Sequence, residues 1–274
     1  MSSFREEVAA GERFEFGKNW SSFLRVLNED RIREATRSLQ VMLEADRLDG
    51  RSFLDIGSGS GLSSLAARRI GAQVFSFDYD AGSVDCTKEL RRRYCGEDPS
   101  WTIEEASVLD ADFMASLPPF DIVYAWGTLH HTGRMWDAIE LAARRVQTNG
   151  LLVMMIYPDW GWLSLAWRRV KQLYCSSLVG RTVVLAVFVP GLVIRWFILD
   201  VCRRKNPIRR YTNYYKKRGM SRFHDIVDWL GGYPYEFAKP DEVVRFVEAR
   251  GFTLQKLHKT RYLFRKSPNA VISA

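Results

Sequence analysis

LDIGSGSG, residues 54–61, decides the fold of this 274-residue chain. It closes a short apolar run, SFLDI (52–56), with glycines at alternate positions 57, 59 and 61, and a helical pattern begins directly afterwards at Leu62. A strand that ends in a glycine turn opening a helix is the start of a βαβ unit, because glycine accepts positive φ and lets a ligand approach the backbone at a helix N-terminus. The spacing is G-x-G-x-G, whereas dinucleotide sites use G-x-G-x-x-G. Asp55 stands two residues before the first glycine and is expected to face the loop. A carboxylate there repels a pyrophosphate and favours a ligand carrying an ammonium and a sulfonium.

Working outward, residues 29–47 (EDRIREATRSLQVMLEADR) place Ile32, Ala35, Leu39, Met42 and Leu43 at helical spacing, and Gly50 ends the segment. After the glycine turn the pattern alternates. A helix runs from 61, a strand over 73–77, a helix over 82–94, and strands near 101–106 and over 120–125. A further helix near 134–147 is expected to stop at Asn149 and Gly150, and LLVMMIY (151–157) reads as a parallel strand buried on both faces. This is a doubly wound α/β plan. The rhythm breaks over 158–235 and resumes with a helix at 240–250 and two runs, FTLQKL and RYLFRK, that pair as a closing hairpin. The expected division is an N-terminal helical cap (1–49), a core (50–157), a mostly helical substrate or lid insertion (158–235) and a C-terminal helix and hairpin (236–274).

Asp78, seventeen residues past Gly61, ends the second strand, VFSF, where an acid accepts hydrogen bonds from ribose hydroxyls. Asp110, in the Ser107–Asp110 loop, either contacts an adenine edge or caps a helix over 111–117. The fourth strand (FDIVYAW) leads into Trp126-Gly127-Thr128-Leu129-His130-His131, a loop placed over the reactive end of a ligand.

LDIGSGSG, FDYD and FDIVYAWGTLHH together resemble the class I S-adenosylmethionine-dependent methyltransferase family over roughly 50–160 and 240–266. The resemblance implies a mostly parallel seven-stranded sheet with a helical insertion between the fifth and sixth strands, and S-adenosyl-L-methionine as cofactor. It carries over Asp55, Gly57, Gly59, Gly61, Asp78, Leu109 and Trp126 as cofactor contacts, and Ser58, Tyr79 and Asp110 fall in the same loops. FGKNW (16–20) and RGMSRFHDIVDWLGGYPYEFAKP (218–240) resemble a bacterial branch associated with polysaccharide or natural-product assembly. Trp20 either covers the cofactor or packs the first helix.

Methyl transfer relies on alignment and exclusion of water. A hydroxyl acceptor profits from a histidine base, for which His130, His131 and His224 are the candidates. His130 and His131 follow the fourth strand, where one of such a pair also serves as packing. His224 and Asp228 share a helical face at i, i+4 and either orient a hydroxyl or make a structural corner. Tyr157, Asp159 and Trp160 follow the fifth strand and are placed to line an acceptor pocket, with helix capping as the other role for Asp159.

TVVLAVFVPGLVI (182–194) is thirteen uncharged residues flanked by basic ones. Against the roughly 20 residues of a bilayer span it reads as too short. The expectations are lid helices broken at Pro190, or peripheral membrane contact through 182–199. The net charge of +8 favours anionic partners. Four cysteines without a CxxC pair suggest no zinc site or disulfide framework, and the first twenty residues lack an apolar signal core, so the expected location is cytoplasmic, with contact at the inner membrane surface. The leading function is methylation of an oxygen on a small-molecule, sugar, glycan or lipid-linked acceptor. The alternative is a nucleic-acid methyltransferase using RRYTNYYKKRG (209–219), although AWGT after the fourth strand is not a flipped-base tetrad.

Overall fold

The computed structural model describes residues 3–204, 206 and 222–268, with side chains at 222–225 and 228 excepted. In chain order, α1 (Phe4–Ala9), α2 (Gly17–Leu24) and α3 (Glu29–Leu43) precede β1 (Ser52–Ile56), α4 (Leu62–Arg69), β2 (Gln73–Asp78), α5 (Ala81–Tyr94) and β3 (Trp101–Glu105). Then come α6 (Ala111–Ser116), β4 (Phe120–Trp126), a 3-10 turn (Leu129–His131), α7 (Met135–Arg144) and β5 (Val146–Met155). After β5 follow α8 (Trp162–Ser176), α9 (Leu178–Cys202), α10 (Arg222–Gly231), α11 (Pro240–Glu248), β6 (Phe252–His258) and β7 (Arg261–Lys266).

The strands form one seven-stranded sheet in the order β3-β2-β1-β4-β5-β7-β6. The first five are parallel, and β7 and β6 close the sheet as an antiparallel hairpin. Because successive side chains in a strand point to opposite faces, the central strands feed two cores at once. Leu54 and Ile56 of β1, Val123 and Ala125 of β4, and Leu152 and Met154 of β5 meet α6, α7 and α11 on one face. Phe53, Ile122, Tyr124, Leu151 and Val153 meet α3, α4 and α5 on the other. Double coverage is why these strands read as continuous apolar runs rather than alternating ones. Strand order reverses between β1 and β4, so the chains leaving their C-terminal ends go to opposite faces and open a crevice there.

Local signals set the helix ends. Asn28, Asp80 and Asp110 each accept a backbone N–H from the first turn of α3, α5 and α6. Two boundaries differ from the sequence expectation. The helix expected near 134–147, with Asn149 and Gly150 as its stop, ends at Arg144, because β5 begins at Val146 and Asn149 and Gly150 lie inside that strand, where Asn149 takes a positive φ of 63°. The break expected at Pro190 is absent: α9, 25 residues in all, continues through it, and the chain instead turns at Ser177, whose hydroxyl caps α9. The longer helix also removes the argument that the segment is too short to span, since by length and composition alone α9 is long and apolar enough to cross a membrane. A third core, of Phe14, Tyr174, Val184, Ile226, Val227 and Leu230, joins α8, α9 and α10 to the N-terminal segment.

The sheet core governs stability. Leu54→Ala is expected to lower the unfolding free energy by about 2–5 kcal/mol, while Val41→Ala, at an exposed position, changes it by less than about 0.5 kcal/mol. Urea unfolding of the two variants checks this.

Candidate functional site

The crevice between β1 and β4 is floored by the glycine loop. Gly57 has φ +71°, and a β-carbon there would lie 2.2 Å from Cγ2 of Thr128, the residue that crosses from the loop after β4. Thr128 Oγ1 donates to the Gly57 carbonyl at 3.3 Å. At Gly59, φ +55°, the indole of Trp20 stands 3.0 Å from where a β-carbon would be. The amides of this loop are already engaged. Gly57 and Ser58 both donate to the Phe77 carbonyl at 2.9 and 3.1 Å, Gly61 donates to the Ser58 carbonyl at 2.8 Å, and Gly59 donates to Asp78 Oδ2 at 2.9 Å. The loop therefore holds these four N–H groups inside the protein, where a pyrophosphate-binding turn would direct its amides at the anion.

Three carboxylates lie in and under the floor. Asp78 lines the cleft and also accepts the amide of Asp80 at 2.9 Å, and burial pushes its pKa up to about 6. Asp55 is fully buried beneath the loop, accepts the Ser64 hydroxyl at 2.6 Å, and is raised to about 7 by burial and, to a lesser degree, by the charge of Asp78. Asp80, not singled out in the sequence as a site residue, accepts the amides of Gly17 at 2.6 Å and Gly82 at 2.9 Å, fastening α2 to the start of α5. Its acid two residues beyond a strand end, just before a helix, was the available signal. The concentration of desolvated negative charge favours a cationic ligand with hydroxyl donors.

The walls come from several elements. Ala106, Val108 and Leu109 give an apolar side, and Trp126 and Trp20 give flat aromatic surfaces. The N-terminal segment covers the cleft: Phe4 packs edge-on to Tyr79 at 5.4 Å, and Arg13, ion-paired with Glu7, lies over the Tyr79 ring and donates to the His131 carbonyl at 2.9 Å. His131 lines the cleft from the far side. Its Nδ1 is 2.6 Å from the Pro234 carbonyl, which can only accept, so Nδ1 carries the hydrogen and Nε2 keeps its lone pair. Burial and the nearby charge of Lys171 push its pKa down to about 3, so the ring is neutral near pH 7.

Of the residues expected at the site, Trp20, Gly57, Gly59, Asp78, Tyr79, Leu109, Trp126 and His131 line the cleft. Others do not, for identifiable reasons. The Asp55 carboxylate is held under α4 by Ser64 rather than facing the ligand space. Ser58 faces Thr87 at 3.1 Å, and Gly61 packs on that same threonine as the cap of α4. Asp110 caps α6. His130 is completely buried between the rings of His131 and Tyr157, at 4.4 and 4.1 Å, so it and Tyr157 support His131 instead of reaching the cleft. Asp159 accepts the Gly161 amide ahead of α8. The side chains of His224 and Asp228, and all of 209–219, lie outside the described residues. Phe16 and Thr128 lie in stretches the sequence marked, FGKNW and the loop after the fourth strand, but were not singled out there, and Phe14 carries no local signal; chain folding brings all three to the cleft.

Residues 54–154 match a model of a methyltransferase domain. The mitochondrial ubiquinone biosynthesis O-methyltransferase of Schizosaccharomyces pombe is 26% identical over 147 residues, which are 51% of this chain and 51% of that protein. The ribosomal protein L11 methyltransferase of Helicobacter hepaticus is 29% identical over 79 residues, 28% of this chain and 24% of that protein. The chain thus spans about half, or less, of the length of these curated relatives. The magnesium protoporphyrin IX methyltransferase of Synechocystis PCC 6803, solved with bound SAH, superposes with a TM-score of 0.52 at 13% identity, covering 86% of this chain and 84% of that one, which establishes a shared fold.

The interlock of Gly57 with Thr128 is testable. Gly57→Ala is expected to cost roughly 2–5 kcal/mol, combining an unfavourable φ with overpacking. Gly50→Ala, at φ +72° but with nothing within 4 Å, is expected to cost only about 1 kcal/mol. Thermal unfolding of both variants distinguishes steric collision from backbone strain.

Proposed function

We propose, from the premise that residues 54–154 place this chain in the class I S-adenosylmethionine-dependent methyltransferase family, that it transfers a methyl group from S-adenosyl-L-methionine to an oxygen of a small-molecule, sugar or lipid-linked acceptor. The observation that carries the reading is the polarity of the floor: the loop amides are turned inward, and the Asp78 carboxylate lines the ligand space. The residues present fit the cofactor. Asp78 offers a carboxylate to ribose hydroxyls, Val108 and Leu109 an apolar wall to a purine, and Gly57 and Gly59 a surface without side chains for close approach. When bound, S-adenosyl-L-methionine supplies a methyl group already activated by its sulfonium.

The protein's part is alignment and dryness. Trp20, Tyr79 and Arg13 cover the cleft from the N-terminal side and limit the entry of water. His131 supports an oxygen-directed reaction: its Nε2 lone pair accepts a hydrogen bond from an acceptor hydroxyl, while the Pro234 carbonyl fixes the ring. With a pKa near 3 the imidazole orients that hydroxyl and receives its proton only as the oxygen gives its lone pair to the new bond and its hydrogen becomes acidic. No loss of its acceptor form occurs between pH 5 and 8.

Calorimetric titration tests the cofactor. S-adenosylmethionine and S-adenosylhomocysteine are expected to bind and NADH not to, with Asp78→Ala weakening binding roughly 10- to 100-fold, the worth of one charge-assisted hydrogen bond. Because the empty protein holds Asp78 near a pKa of about 6, binding that favours its ionised form releases protons at pH 6. Affinity then declines by up to about tenfold per unit as the pH falls below that value. Preference for NADH, or binding indifferent to Asp78, would sink the reading. For the acceptor side, His131→Ala is expected to lower the rate of S-adenosylhomocysteine formation with a hydroxyl acceptor by about 10²- to 10⁴-fold while leaving donor affinity unchanged. An unaffected rate would exclude His131 from the chemistry.

A further inference from the structure

α9 presents two faces. Val184, Phe188, Leu192 and Trp196, four residues apart, pack with Leu185 and Val189 against α8, α10 and the N-terminal segment. On the opposite side Val187, Ile194 and Phe197 are 61%, 58% and 56% exposed, and Val183, Ile198 and Val201 continue the stripe. Of the most apolar 18-residue window of this helix, 6% is buried. A continuous apolar face of this kind does not stay in water without a partner.

The surroundings specify that partner's chemistry. From Trp160 to Arg204 the chain carries seven basic residues and a single acid, Asp200, and that acid is buried. Arg169, Arg181, Arg195, Arg203 and Arg204 are exposed beside or beyond the apolar stripe. Trp160 and Trp162, strongly exposed at the start of α8, provide rings with an apolar body and a polar edge, suited to a headgroup layer. A protein partner would need no such pairing of an acid-poor border with an apolar face.

We infer that the α8–α9 hairpin seats the protein on an anionic bilayer, with α9 lying in the interface plane: its outer stripe enters the acyl boundary and the exposed arginines meet the headgroups. It lies along the membrane rather than across it, because spanning would strip the inner stripe from Phe14, Tyr174 and Ile226. The inference is independent of the acceptor and of the donor chemistry.

Flotation of the full chain with phosphatidylcholine vesicles, with and without phosphatidylglycerol, tests this. The protein is expected to float with the anionic vesicles at low salt, less so at high salt, and to float poorly with phosphatidylcholine alone. The triple variant Val187→Glu, Ile194→Glu and Phe197→Glu is expected to lose at least about tenfold of the lipid-bound fraction while keeping the circular dichroism spectrum and cooperative thermal unfolding of the unaltered chain, which shows that it remains folded. Three results would overturn the inference: no flotation of the unaltered chain with anionic lipid at low salt, a dimer by light scattering that the triple variant dissolves, or membrane material that resists carbonate extraction as a spanning helix does.

Discussion

A backbone amide can be donated only once, and in the glycine loop of this protein that choice is made inward. Phe77 and Asp78 at the end of β2 take the amides of Gly57, Ser58 and Gly59, which ties the loop to the neighbouring strand and leaves the ligand space without an anion cradle. The remaining features of the cleft follow from this. Recognition passes to Asp78, to apolar walls and to glycine surfaces that permit close approach. A site of this polarity selects a ligand by its hydroxyls and positive charge, not by phosphate.

The arrangement holds carboxylates where solvent does not reach. Asp55 and Asp78 both sit above the usual carboxylate range because burial disfavours their charge. His130 and His131 sit below the usual imidazole range for the same reason. Acid and base groups are thus brought toward neutrality on either side of one crevice. The hydrogen bond from His131 to the Pro234 carbonyl links the crevice to the segment that precedes α11, so residues far apart in sequence share the work of fixing one ring.

The core was legible in the sequence because strand, glycine turn and helix are local patterns. Leu54 to Gly61 and Asp78 announced the crevice, and the hairpin after α11 was readable from two apolar runs. Three things were not. Asp55 belongs to the motif yet faces Ser64, since the alternation of β1 directs its side chain into the face shared with Tyr124. His130 and His131 are adjacent in sequence, but only His131 reaches the cleft while His130 is buried, which depends on the rotation of a 3-10 turn that no periodicity reveals. The helical layer was misjudged at Pro190, because a missing amide ends a helix only where neighbouring contacts do not compensate, and Val184, Phe188, Leu192 and Trp196 hold α9 on both sides of that proline.

The close fit of Gly57 against Thr128 also bears on how such a protein can change. The loop after β4 lines the cleft through Trp126, Gly127, Thr128, His131 and Thr132, so it is a natural place to seek a new specificity. Yet its threonine fills the space that a side chain on the first glycine would need and donates a hydrogen bond to that glycine's carbonyl. Exchange of residues 126–132 for those of another enzyme therefore disturbs the donor half as well. A library that seeks new acceptors has to keep position 128 fixed or vary it together with position 57.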